Sequence, residues 1–209
     1  MTLEELYKKL ASDEFRDPSN NDLFYNFFIY QYPVEKDAEI RRQISEFKDA
    51  LARPITYVDV LSIDLFEAFR EYLGQRKFGS KFASLLEYLL NRDANATDAE
   101  GHDSVTQSLK GHAEGDEFMD FVHKKILAHL DQAAEGNVIR PYVFLYGFAA
   151  IYPYLRASGF LDRYERLNDA TRYKIILFYP GEFRTGDNHF SLFGKLHEDH
   201  PYRSHVLID

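Results

Sequence analysis

Residues Tyr173 to Asp209 read YKIILFYPGEFRTGDNHFSLFGKLHEDHPYRSHVLID, and the opening of this stretch decides the fold class. Ile175-Ile176-Leu177-Phe178 is a continuous apolar run that leads into Tyr179-Pro180-Gly181. An unbroken run predicts a strand buried on both faces, as in a parallel sheet covered by helices, because a half-wet strand would alternate. Pro fixes φ and Gly admits positive φ, so 179–181 is expected to turn the chain out of the strand. A polar stretch from Arg184 to Asn188 follows. Two short apolar segments come next, Phe190–Leu196 and Tyr202–Ile208, separated by charged residues and Pro201. That spacing predicts a hairpin closing the domain.

Upstream, strand and helix signals alternate. Leu3, Leu6, Tyr7 and Leu10 recur at helical spacing, which predicts a helix over Thr2–Ala11 with Thr2 as N-cap. Leu23–Tyr32, rich in Phe, Tyr and Ile and closed by Pro33, predicts the first strand. Ile40, Ile44, Phe47 and Leu51 mark a helix, and Ile55–Leu61 reads as strand two. Asp64 is a plausible cap for a helix carrying Leu65, Phe66, Phe69 and Leu73, and another helix spans about 81–90. From Asn91 to Asp116 the apolar pattern fails, and a long surface loop is expected there. A helix over Phe118–Ala134 ends ahead of Gly136; strand three is Tyr142–Tyr146. Two short helices, about 149–156 and Ser158–Leu167, lead into the tail. This order predicts a single α/β domain over residues 1–209. It has a largely parallel twisted sheet of about five strands flanked by helices, three layers in all, with a Rossmann-like or P-loop-like topology and a C-terminal hairpin.

Composition narrows the function classes. Hydrophobic residues make up 45% of the 209, which excludes a disordered chain. With no Cys there is neither a disulfide framework nor a thiolate metal site, which fits a reducing cytoplasm. Met1–Leu10 is charged and helical in pattern, unlike a signal peptide, and no apolar run approaches the roughly 20 residues that span a bilayer. The net charge of −9 disfavours direct nucleic-acid binding and leaves a protein partner easier to accommodate. The last third, 140–209, is near neutral, with nine Lys/Arg against eight Asp/Glu.

The chemistry-bearing motifs are thin. No Gly-rich phosphate loop follows a strand, and Glu35, Asp37 and Glu39 crowd the helix start after strand one, where they would repel a phosphate. No bound cofactor is expected. Among eight His, four lie in the tail, and His197 with His200 forms the best metal candidate, flanked by Glu198 and Asp199. H-x-x-H at a hairpin tip lacks the i, i+4 register of a helical zinc site, so a solvated turn is the preferred reading. Ser191 lacks the glycine of a nucleophile elbow, and Glu182 and Asp187 read as solvated loop carboxylates. The interface-forming residue types are more suggestive. Tyr152, Tyr154, Tyr179, Phe183 and Tyr202, with Arg156, Arg184 and Arg203, cluster at strand-to-helix junctions and in the tail. They are the candidates for a partner-binding patch.

VFLYGFAAIYPYLRASGFLDRYE, from Val143 to Glu165, adds a strand followed by Gly147 and an Ile151-Tyr152-Pro153 turn into a helix. With LFYPGEF (Leu177 to Phe183), SLFG (Ser191 to Gly194) and Tyr202-Arg203 before a last apolar segment, the chain resembles the BrxB family of BREX phage-defence systems. The resemblance covers nearly the whole chain, and its distinctive part is the last third. It implies a small non-enzymatic component that acts as scaffold or regulatory partner of PglZ, a larger alkaline-phosphatase-like protein, alongside other BREX subunits. The contrasting expectation is a nucleotide- or metal-dependent enzyme using the strand ends or the His-rich tail.

Overall fold

The computed structural model describes residues 1–16, 27–54, 56–134, 141–169, 171–184, 189–192, 196–197 and 205–206, with 133–134 and all from 182 onward as backbone alone. The elements in chain order are α1 (Leu3–Ala11), α2 (Asp13–Arg16), β1 (Phe27–Tyr32), α3 (Asp37–Leu51), β2 (Val60–Asp64), α4 (Leu65–Gln75), α5 (Leu85–Ala94), α6 (Ala99–Ala113) and α7 (Asp116–Ala134). They continue as β3 (Tyr142–Tyr146), α8 (Phe148–Ile151), α9 (Ala157–Tyr164), β4 (Lys174–Arg184), β5 (His189–Leu192), β6 (Leu196–His197) and β7 (His205–Val206).

The strand order is β2-β3-β4-β1-β7, and every pairing along it is parallel. β4 sits centrally, pairing Ile175–Pro180 with Phe27–Tyr32 of β1 and Lys174–Leu177 with Tyr142–Leu145 of β3. Its side chains alternate between two cores, which is why the run must be apolar throughout. Ile175, Leu177 and Tyr179 pack with α4, α5 and α7 to α9; Ile176 and Phe178 pack with α1 to α3. Each such buried side chain stabilises the fold by about 1.5–3 kcal/mol. The second core is aromatic: the Phe144 and Phe178 rings meet edge-on at 5.0 Å and Phe47 tilts over Phe144 at 5.6 Å. Lys174 is buried there too, its ammonium donating to the Phe15 carbonyl and lying 4.3 Å from the Phe15 ring centre.

Local signals explain most of the element boundaries. Thr2 and Glu5 form a full capping box on α1, and Asp64 caps α4. Other expectations are corrected. Strand two begins at Val60 because 56–58 are used to finish α3. The Thr56 hydroxyl donates to the Leu51 carbonyl at 2.6 Å, and the Tyr57 and Val58 amides bond back to Arg53 and Leu51. These donors satisfy the carbonyls a helix end leaves open. The expected turn at 179–181 is absent: β4 runs on to Arg184. Pro180 lies beyond Leu177, the last residue paired with β3, so the strand is an edge on that side, where proline is tolerated. At Gly181 the partner changes to β5, antiparallel.

The closing hairpin also takes a different form. β4, β5 and β6 make an antiparallel meander, while β7 joins β1 in parallel rather than pairing with the preceding apolar segment. The expected loop at 91–116 holds the end of α5 and the whole of α6. The Asp98 carboxylate accepts from the Gly101 amide at 2.8 Å and starts α6, whose buried side is a narrow stripe of Val105, Leu109 and Ala113. The first short helix after β3 stops at Ile151, ahead of Pro153. Leu23–Asn26, the front of the expected first strand, lies outside the described residues. Among the described residues no helix is long and apolar enough to cross a membrane.

Candidate functional site

Two surfaces merit functional reading. The first is the carboxyl edge of the sheet. The helix after β1 lies on one face and the helices after β2 and β3 on the other, and at such a reversal open parallel sheets form their crevice. A cleft of about 530 Å³ there is lined by Ala38, Arg41, Arg42, Asp64 and Tyr146.

The polar groups of this edge are mostly committed to one another. One Asp64 oxygen accepts from the Phe66 and Glu67 amides at 3.0 and 3.3 Å; the other accepts from Arg41 Nη2 at 2.5 Å. Burial works against the Arg41 charge, yet the hydrogen bond and attraction of Asp64 outweigh it and raise its pKa. Gly147 closes the clamp from β3. Its φ is +84°, and a Cβ there would stand 2.5 Å from an Asp64 oxygen, so only glycine fits. The Tyr32 hydroxyl donates to Asp37 at 2.7 Å, and burial, reinforced by the Asp37 charge, holds that phenol protonated far above its usual range. Tyr146 is raised in the same direction, by burial first and by Asp64 next. Gln31 is the exception among the described residues, its side-chain nitrogen buried without a hydrogen-bond partner.

The second surface is an apolar groove of about 300 Å³ between α4, α5 and α6. Phe69, Leu73, Leu89 and Val105 form its buried floor; Phe66, Leu86, Leu109 and Tyr154 rise around it. Leu90 stands at the lip, 61% exposed. The polar rim is again self-paired: Arg70 donates twice to Glu67 at 3.0 and 3.1 Å, and Asp93 meets His102 at 2.8 Å.

The family model described as BREX protein BrxB matches residues 61–207, most of the chain. The chain belongs to the BrxB family. It is therefore a component of a BREX phage-defence system. No curated protein and no solved structure matches it. The BrxB match begins at Leu61, so it takes in every groove residue but leaves Arg41 and its helix upstream.

Against this BrxB frame the sequence-derived candidates divide. Tyr152 and Tyr154 are partly buried against the larger core, and Tyr154 lines the groove. Arg156 is the partly exposed N-cap of α9. Tyr179 is corrected: it is 1% exposed and packs on the α4–α9 face, because its odd position on β4 points it into that core rather than outward. Phe183 and Arg184 are placed as β4 backbone and His197 as β6 backbone, whereas Tyr202, Arg203 and His200 lie outside the described residues. Among the described residues no three His, Asp or Glu converge as a metal site.

His123 meets the Tyr164 hydroxyl at 2.9 Å, and Tyr164 meets Tyr173 at 3.3 Å in the core. Burial lowers the His123 pKa. Sequence reading missed Leu90 and Tyr57, two of the most exposed large apolar residues, the latter 72% exposed at φ +48°. A hydrophobic residue one step off a helix stripe was the available signal for Leu90, following Leu85, Leu86 and Leu89.

Proposed function

We propose that this chain is a non-catalytic scaffold or regulatory subunit of a BREX system, working in the cytoplasm and binding the PglZ-like protein directly. The observation that carries this reading is the contrast between its two surfaces. The carboxyl edge directs Asp64, Arg41, Tyr32 and Asp37 at one another, while the groove inside the BrxB-matched span leaves apolar surface open to a partner. An apolar hollow with an exposed leucine at its lip is a surface that a partner's side chains can fill. Other BREX subunits are then reached through that partner or beside it. Size-exclusion with light scattering, on the chain mixed with the PglZ-like product of its own operon, tests this. One complex of defined mass supports the reading; two separate peaks at micromolar concentration and moderate salt contradict it.

The cleft at the strand ends favours a second reading, a small-ligand site for a nucleotide or metal-dependent reaction. Thermal shift with ATP, GTP, zinc and manganese separates the two, since a ligand that binds only the folded state raises its apparent stability. A concentration-dependent rise abolished by Arg41→Ala would favour the ligand site.

A further inference from the structure

We propose that the turn joining α4 to α5, residues 76–84, binds a short single-stranded segment of nucleic acid. One base stacks on Phe78, and the flanking phosphates meet Lys77 and Lys81. This goes beyond the subunit reading and does not rest on it. Arg76-Lys77-Phe78-Gly79-Ser80-Lys81-Phe82 interleaves cations with aromatics. No Asp or Glu occurs from Tyr72 to Leu86, although acids are 34 of the 209 residues. Single-strand binders combine these two residue types, because every base has a π-face to stack and every linkage a phosphate to neutralise.

The turn is a built platform. The Leu85 amide donates to the Arg76 carbonyl at 2.7 Å and closes its ends, while Phe78 bridges to Phe82 around Gly79, whose φ is +63°. Tyr88 of α5 carries the stack: the Phe78 ring lies 4.0 Å from it at 22°, and Phe82 meets it edge-on at 5.4 Å. With Tyr88 on one face, Phe78 is still 38% exposed, and it belongs to neither core. Lys77 and Lys81 are exposed and form no ion pair among the described residues; the Lys81 ammonium lies 5.6 Å from the Phe82 ring centre. The acids that bracket the turn are engaged elsewhere, Glu71 with Lys125 at 2.7 Å and Glu87 with the Ala83 amide at 2.8 Å.

Residue type selects the ligand. Protein interfaces favour Arg and are depleted in Lys and Ser. The one Arg of this turn, Arg76, is held by Glu117 and Tyr72, and two lysines about one aromatic ring remain outward. A duplex would bring phosphates but keep its base faces stacked on each other, whereas an unpaired base offers Phe78 a free face. The net charge of −9 opposes a strand laid across the whole surface, which confines contact to this turn and makes it weak and salt-sensitive. Stacking on a ring face is tolerant of sequence, so strandedness is selected and base order is not.

Fluorescence anisotropy of the full chain with a labelled oligothymidylate of about 15 nucleotides, at low ionic strength, tests this. Two phosphate contacts predict that log K falls with log salt at a slope of about −1.4. Phe78→Leu keeps an apolar side chain against Tyr88 but removes the π-face, and it should weaken binding about tenfold. Lys77→Glu combined with Lys81→Glu should abolish binding, with circular dichroism unchanged in both variants. Ultraviolet crosslinking should place thymine on the peptide that holds Phe78. A duplex of the same length and a polyglutamate peptide should each bind about tenfold more weakly or not at all. Binding of oligouridylate as well supports the inference, and a preference between the two strands identifies DNA or RNA as the ligand. No binding by the unaltered chain, indifference to Phe78→Leu, or equal binding of the duplex or the peptide overturns it. The experiment contains no partner subunit, so its failure leaves the subunit reading standing.

Discussion

The carboxyl edge and the α4–α5–α6 groove resolve opposite problems. At the edge, charges and hydroxyls are numerous, and several are paired with one another: Asp64 alone accepts from two amides and a guanidinium. In the groove the charged groups keep to the rim, and apolar area stays uncovered around Leu90. The edge is where this architecture ordinarily places ligands. Here it serves as a clamp joining β2, β3 and α3, and the surface left open is hydrophobic. A doubly wound sheet thus supplies a scaffold without dictating what is bound to it.

Substitutions can break this comparison at either end. The largest effect is expected in the groove floor. Phe69→Ala should cost about 3–5 kcal/mol in urea unfolding, since Phe69 stacks on Tyr72 and meets Phe118 at 5.2 Å in the core. Gly147→Ala tests the clamp and should cost about 2 kcal/mol or more, from a strained φ and the clash with Asp64. Asp64→Asn keeps a cap but weakens the link to Arg41, and a loss of about 1 kcal/mol is expected. A cost near zero for both would mean the edge is not clamped. Leu90→Ser should change stability by less than about 0.5 kcal/mol while impairing partner binding, the signature of a surface residue held for contact.

Acid sharpens the comparison further. His112 and His123 have folded pKa values below the ordinary histidine value, burial being the main cause in each. The unfolded chain therefore takes up protons first. Their contribution is intact above about pH 6.5 and is lost as pH falls through the unfolded value toward the lower folded one. His123→Gln should flatten the decline in Tm between about pH 7 and 5. A separate loss belongs at lower pH, where Glu117, whose pKa is held down chiefly by its hydrogen bond from Arg76, is protonated.

Much of this was legible in the residues, and the failures have physical causes. The run Ile175–Phe178 and the segment Tyr142–Tyr146 read as buried strands because both faces are covered. Thr2 and Asp64 read as caps because helix starts need acceptors. α6 was invisible because a helix packed along one narrow edge needs only Val105, Leu109 and Ala113, and Gly101 and Gly111 lower its propensity. Without α6 the groove could not be foreseen. The register of Tyr179 was hidden by the very continuity of its strand, since an unbroken apolar run does not say which side faces which core. β7 was misassigned because apolarity marks a strand without naming its partner, and its partner, β1, is remote in the chain.

Hydrogen–deuterium exchange on the chain alone and in complex with the PglZ-like subunit tests the central claim most directly. The account predicts new protection in α5 and α6, across Leu85–Ala113, with little change in α3 from Asp37 to Arg42 or at the Asp64–Glu67 cap. Protection confined to that carboxyl edge, with α5 and α6 exchanging as before, would contradict it.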